Sequence, residues 1–222
     1  MSVSITQHNQ VAVICMDDGN KNVINHDVLD ALESAFDQAT SDEAGAIIFK
    51  GREGSFCAGY DLAVMKGADP QAASRLGRRG GLLARRILSS PIPVVGLSQG
   101  HSFTIGAVWL ACCDLSIGER GAYKYGMTEV TLNVPLTGWA LEPVKARLAR
   151  SERIPALLHS KLYPPEQAQA AGFIDELVAS GEGLTAALAR AEPLAGLPRD
   201  AYLATKLALR QSILDSMNRD LG

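Results

Sequence analysis

Apolar and polar residues alternate over the first sixteen positions, and "SVSITQHNQVAVICMD" reads as two short strands around a polar turn at His8-Asn9-Gln10. "DDGNKNVIN" has no period and is rich in Asp, Asn and Gly, the composition of a loop. The spacing then becomes helical, with Val28, Leu32, Ala35, Phe36 and Ala39 on one face of "HDVLDALESAFDQATSD" and Asp27 placed as an N-cap. "AGAIIFKG" has the unbroken apolar character of a buried strand closed by glycine, and "REGSFCAGYDLAVM" after it is turn-rich. In "DPQAASRLGRRGGLLARRILSS" the helical stripe returns as Leu76, Leu83 and Ile87. Its arginines, Arg75, Arg78, Arg79, Arg85 and Arg86, fall on several faces, which describes a solvated surface, with one or two left as candidates for a phosphate-bearing ligand.

"PIPVVGLSQG" predicts a short strand and "HSFTIGAVWLACCDLSIG" an apolar helix from near Gly106 to about Asp114, followed by a strand and turn in "LSIGERGAYKYG". In "YKYGMTEVTLNV" the alternation of Val130, Leu132 and Val134 after Glu129 predicts a strand or strand end with one buried face. A carboxylate beside such a face is costly unless it is paired, protonated or useful. From Gly138 onward, five segments punctuated by Pro and Gly read as successive helices. A strand-rich first half and a helix-rich second half predict one α/β domain with a helical C-terminal region.

The 222 residues, 47% of them hydrophobic, suffice for one well-packed core. A net charge of -3 and a pI near 5.8 give no basic field that would favour nucleic acid or an anionic membrane. Cys15, Cys57, Cys112 and Cys113 follow no metal-site spacing, and the four histidines are scattered, so no metal is expected. The first ten residues lack an apolar leader core, and no apolar run reaches membrane-spanning length. These features lead us to expect a cytoplasmic protein.

No "GxSxG" and no "GxxxxGK" occurs. Two stretches instead favour close backbone approach to a ligand: "SFCAGYD" and "SFTIGAVWLAC", where a loop feeds a helix start. Amides at a helix N-terminus lack intrahelical partners and carry partial positive charge. Two of them facing one point form an oxyanion hole without any special side chain.

"SFCAGYDL" resembles the F-[CS]-A-G-x-D-L segment of the crotonase (enoyl-CoA hydratase/isomerase) superfamily. "GLSQGHSFTIGAVWLACCDLSIG" is similar to its second signature, "NKNVIN" to its N-terminal turn, and "YPPEQAQAAGFIDELV" to its late helix. The four segments stand in the right order and span essentially the whole chain. The resemblance implies a spiral of ββα units over residues 1–138 that carries the CoA and oxyanion sites. Residues 139–222 would form a helical region giving trimer contacts and a pocket lid, within one structural domain. It further implies acyl-CoA thioester substrates, no cofactor beyond the substrate's CoA, and homotrimers or dimers of trimers.

Carried over by position, the oxyanion amides are those of Tyr60 and Ile105, with "TIG" standing where the family usually has "GGG" or "AGG". A β-branched residue at 105 requires a negative φ. Ser55, Phe56 and Ala58 fall on the adenine side, the Ala58 backbone foremost, and Asp61 fixes the loop. Of the two glutamates that the family's hydratases use, one position is Val108 here and the other is Glu129. A lone carboxylate suits double-bond migration, and "YKYGMTEVTLNVPLTGWALEPVKARL" looks like the mitochondrial-type Δ3-Δ2-enoyl-CoA isomerases. In that reading Leu136 and Trp139 wall the acyl pocket, Trp109 packs behind Val108, and the pKa of Glu129 is raised by desolvation.

Other readings stay open. Glu129 could cap an element or pair with Lys124 or Arg147, whereas Glu119, Glu142 and Glu166 read as surface charges. A hydratase or thioester hydrolase would recruit Asp61 or a residue from the C-terminal helices of a neighbouring subunit, and a non-catalytic protein would only bind acyl-CoA or assemble with partners.

Overall fold

The computed structural model describes residues 2–41 and 44–222. The predicted hairpin is present: β1 (Val3–His8) runs antiparallel to β2 (Val11–Met16), with Asn9 in the turn at φ 52. After the two-residue β3 (Val23–Ile24) comes α1 (His26–Ser41), which buries Val28, Leu29, Leu32, Ala35, Phe36 and Ala39. Its cap is Asn25 and not Asp27, because Asn25 Oδ1 accepts the Val28 amide at 2.9 Å. The predicted end of that segment, Asp42, lies outside the described residues.

β4 (Ala46–Lys50), β5 (Gly54–Cys57), β6 (Gly59–Tyr60), the short α2 (Leu62–Met65) and the long α3 (Pro70–Leu88) follow. α3 buries Leu76, Leu83 and Ile87 as its stripe predicts. Several of its arginines are tied to the protein: Arg79 to Asp30 and Glu33, Arg86 to Asp37, Arg85 to Asn218, and Arg78 to the Leu221 carbonyl.

A second ββα turn is built from β7 (Val94–Ser98), β8 (Gly100–Phe103) and α4 (Ile105–Cys112), then β9 (Leu115–Glu119) and β10 (Tyr125–Gly126). The rest is α5 (Gly138–Arg147), α6 (Arg153–Leu157), α7 (Pro165–Ala171), β11 (Glu176–Val178), α8 (Gly183–Ala195) and α9 (Arg199–Leu221). The main sheet has the order β1-β2-β4-β7-β9-β11, parallel from β2 onward. A smaller sheet, β10-β8-β5, and the β3-β6 pair stand beside it.

One face of the main sheet packs against α1, α3 and α4 in a core that reaches α9 through Leu214, Met217 and Leu221. The other face is covered by α8 through Ala187 and Ala191. Among the described residues no helix is long and apolar enough to cross a membrane.

Three further expectations are corrected. Val130, Leu132 and Val134 are not in a strand: residues 130–132 form a 3-10 turn, and Asn133 takes a left-handed φ of 59. The Glu129 carbonyl accepts the amides of both Leu132 and Val134, so local bonds close a turn where a ladder would need a partner strand. β11 breaks the run of second-half helices, since three residues beside β9 are too few to show a period. Glu119 is buried, not a surface charge, and accepts from Gln99 Nε2 and from the amides of Gly181 and Gly183.

Candidate active site

Close backbone approaches bring the stretches around Tyr60 and Ile105 together. A Cβ at Gly106 would lie 2.6 Å from Cys57 Cβ, so only glycine lets the first turn of α4 seat against the end of β5. β6 follows at once, with Gly59 at φ 102. The Asp61 amide donates to the Ile24 carbonyl, so strand alternation turns the neighbouring Tyr60 amide away from β3. Ile105 is the first residue of α4, and its amide therefore has no intrahelical acceptor. Its φ is negative as required, and the positive value, 51, falls on Thr104 before it.

Both residues line a cavity of about 780 Å³. Its wall also holds Ala58, Val108, Glu129, Leu136 and Trp139. Ser55, Phe56 and Asp61 lie outside it. The Ser55 hydroxyl donates to the Lys21 carbonyl at 2.6 Å, Phe56 is fully buried with its edge on Phe49, and Asp61 caps α2 by accepting the Ala63 amide. All three side chains are engaged inside the fold, and Asp61 fixes its loop through this cap.

Glu129 projects from the link between β10 and the 3-10 turn. Its Oε2 is sealed from solvent and has no hydrogen-bond partner among the described residues. No ion pair to Glu129 forms among the described residues; Arg147 is engaged by Asp175. Burial pushes the Glu129 carboxyl up to about 7, against the opposing pull of its own amide and that of Thr128. Val108 is fully buried, and Trp109 is fixed by its indole N–H donating to the Gly80 carbonyl at 3.1 Å. The half-buried Tyr60 ring lies against α3, where a Cβ at Gly80 would meet its hydroxyl at 2.1 Å.

Several wall residues escape sequence reasoning. Leu132 and Val134 line the cavity from the turn that follows Glu129, and both are exposed. Lys66 and Arg78 stand at the same wall. Asp220 and Leu221 arrive from the end of α9, and Asp220 Oδ2 accepts the Trp139 amide at 2.9 Å. No local signal announces a contact across 81 positions. Among the described residues, no group of three His, Cys, Asp or Glu side chains is placed to hold a metal ion.

Residues 6–221 match the model of the family described as enoyl-CoA hydratase/isomerase. The solved structure of an enoyl-CoA isomerase from Mycobacterium tuberculosis is 36% identical, with 99% of this chain and 96% of that one aligned and a TM-score of 0.94. An enoyl-CoA hydratase from Mycobacterium ulcerans is 34% identical over 100% and 96% of the two chains, with a TM-score of 0.95. Among curated proteins, a probable enoyl-CoA hydratase of Rhizobium meliloti is 26% identical over 194 residues, 86% of this chain and 74% of its own. With its spiral of ββα units and its full-length match, this chain belongs to the enoyl-CoA hydratase/isomerase family and has the crotonase fold.

Proposed function

We propose that this protein moves the double bond of a 3-enoyl-CoA to the 2 position, with Glu129 as its single acid/base. The observation that carries the reading is a Glu129 carboxyl raised to about 7, its Oε2 sealed and without a partner among the described residues, in a cavity whose hydratase-type second glutamate position is the apolar Val108. Glu129 takes a proton from C2, and the electron pair moves onto the thioester oxygen, giving a dienolate. The amides of Tyr60 and Ile105 hold that oxygen. The Glu129 carboxylic acid then returns the proton to C4, so nothing is consumed and no cofactor is needed. A pKa close to the working pH lets one group serve in both directions.

Hydration asks for more, because one group must activate water while another handles the α-carbon proton. Asp220 is the other carboxylate of the cavity wall among the described residues, and it is exposed with one oxygen engaged by the Trp139 amide. Incubation with a 3-enoyl-CoA should raise the ultraviolet band of the conjugated 2-enoyl thioester. Glu129→Gln should slow this by about 10²- to 10⁴-fold with acyl-CoA affinity within a few-fold, and Asp220→Asn should leave it nearly unchanged. Loss of the band from 2-enoyl-CoA, abolished by Asp220→Asn, would establish hydration instead. A trimeric assembly is part of the proposal and is supported by the exposed Ile154, Leu158 and Leu162; sedimentation gives its mass.

A further inference from the structure

Thr104 belongs to the second of the two stretches and immediately precedes the Ile105 amide. Its backbone, φ 51 and ψ -117, lies where β-branched residues are rarely found. The residue lines the cavity at 8% exposure, and its Oγ1 is sealed from solvent without a hydrogen-bond partner among the described residues. A threonine at an N-cap ordinarily accepts an amide of the first helical turn, and Thr104 makes no such bond.

The hydroxyl is turned to the opposite loop instead, 2.6 Å from where a Cβ at Gly59 would lie. It thus sits beside the residue before the Tyr60 amide, while its own backbone leads into the Ile105 amide. Glycine at 104 would relieve the strained φ and remove the orphaned hydroxyl together. Another orphaned oxygen is Glu129 Oε2, so both oxygens without a partner among the described residues sit on residues of the cavity wall.

We infer that the Thr104 hydroxyl is a third hydrogen-bond donor to the thioester oxygen, beside the amides of Tyr60 and Ile105. This makes Thr104 a catalytic residue, and it rests on the reading of those amides as an oxyanion hole. When the C2 proton leaves, charge gathers on the thioester oxygen, and the hydroxyl donates to it without giving up its proton. Shielding from water strengthens that bond relative to the same bond in solvent.

The test separates this inference from the reading beneath it. A 2,4-dienoyl-CoA bound to the protein absorbs at longer wavelength in proportion to the polarisation of its carbonyl. Wild type should show a red shift, Thr104→Val a clearly smaller one, and Thr104→Ser one close to wild type. In parallel, kcat with a 3-enoyl-CoA should fall by about 10²-fold in Thr104→Val, with KM within two-fold, and Thr104→Ser should recover most of the rate. Thr104→Gly takes the positive φ without strain, so it carries the test if the valine variant folds poorly; it should be as slow as Thr104→Val despite a higher melting temperature. Unchanged shift and kcat in both hydroxyl-free variants would overturn the role of Thr104 and leave the amides standing. No red shift in wild type would overturn the oxyanion hole and this inference with it.

Discussion

At the scale of single residues, one burial gives Glu129 both a raised pKa and a cost in stability. Water would stabilise its carboxylate, and the cavity removes that water, lifting the group from 4.5 to about 7. The acidic limb of kcat/KM should therefore follow one ionisation near pH 7 and disappear with Glu129→Gln. Stability carries the opposite mark. A carboxyl raised in the folded state binds more protons there than in the unfolded chain, so stability falls as pH rises from about 4.5 through 7. Glu129→Gln removes the penalty. Denaturant unfolding at pH 8 should find the variant more stable by up to about 3 kcal/mol, and unfolding at pH 4 should find the two proteins nearly equal.

At the scale of elements, two helices reach the cavity through caps that come from elsewhere in the chain. α5 begins at Gly138 with Thr137 making no capping bond, and Asp220 from α9 supplies the acceptor. Gly138 leaves the room, since a Cβ there would lie 2.8 Å from Asp220 Oδ2. Arg78 on α3 holds the Leu221 carbonyl at 2.6 Å, which fixes the last turn of α9 beside Trp139. Asp220→Ala should cost about 1 kcal/mol, the usual value of a lost helix cap. Because Trp139 and Leu221 form part of the wall, calorimetry should find weaker binding of an acyl-CoA and unchanged binding of free CoA.

At the scale of the whole molecule, α9 is anchored to the sheet by a buried charge cluster. Asp114 accepts the Val94 amide at 2.7 Å and Lys206 Nζ at 2.8 Å, and Arg210 reaches its other oxygen at 3.1 Å. Burial lowers the pKa of Lys206, whose side chain is only 3% exposed, and Asp114 offsets part of that. Asp114→Ala leaves a buried ammonium unpaired and should cost about 3–5 kcal/mol. Adding Lys206→Met removes the stranded charge and should recover much of the loss in the same unfolding experiment.

The amino-acid order alone determined what depends on neighbours: the hairpin around Asn9, the stripe of α3, the run of α4, and the short segments whose match marks the family. It also placed Tyr60, Ile105, Val108 and Glu129, because each lies inside a local motif. Tertiary structure decided the rest, where residues distant in the chain must meet. It turned Val130–Val134 from an expected strand into a turn, since the Glu129 carbonyl takes the Leu132 and Val134 amides that a ladder would need. It drew Ser55, Phe56 and Asp61 into internal contacts, and brought Asp220 and Leu221 across to Trp139. It also placed the strain at Thr104 and not at Ile105: the residue before a helix must bend the chain, and only the packing of α4 on β5 sets where that helix begins.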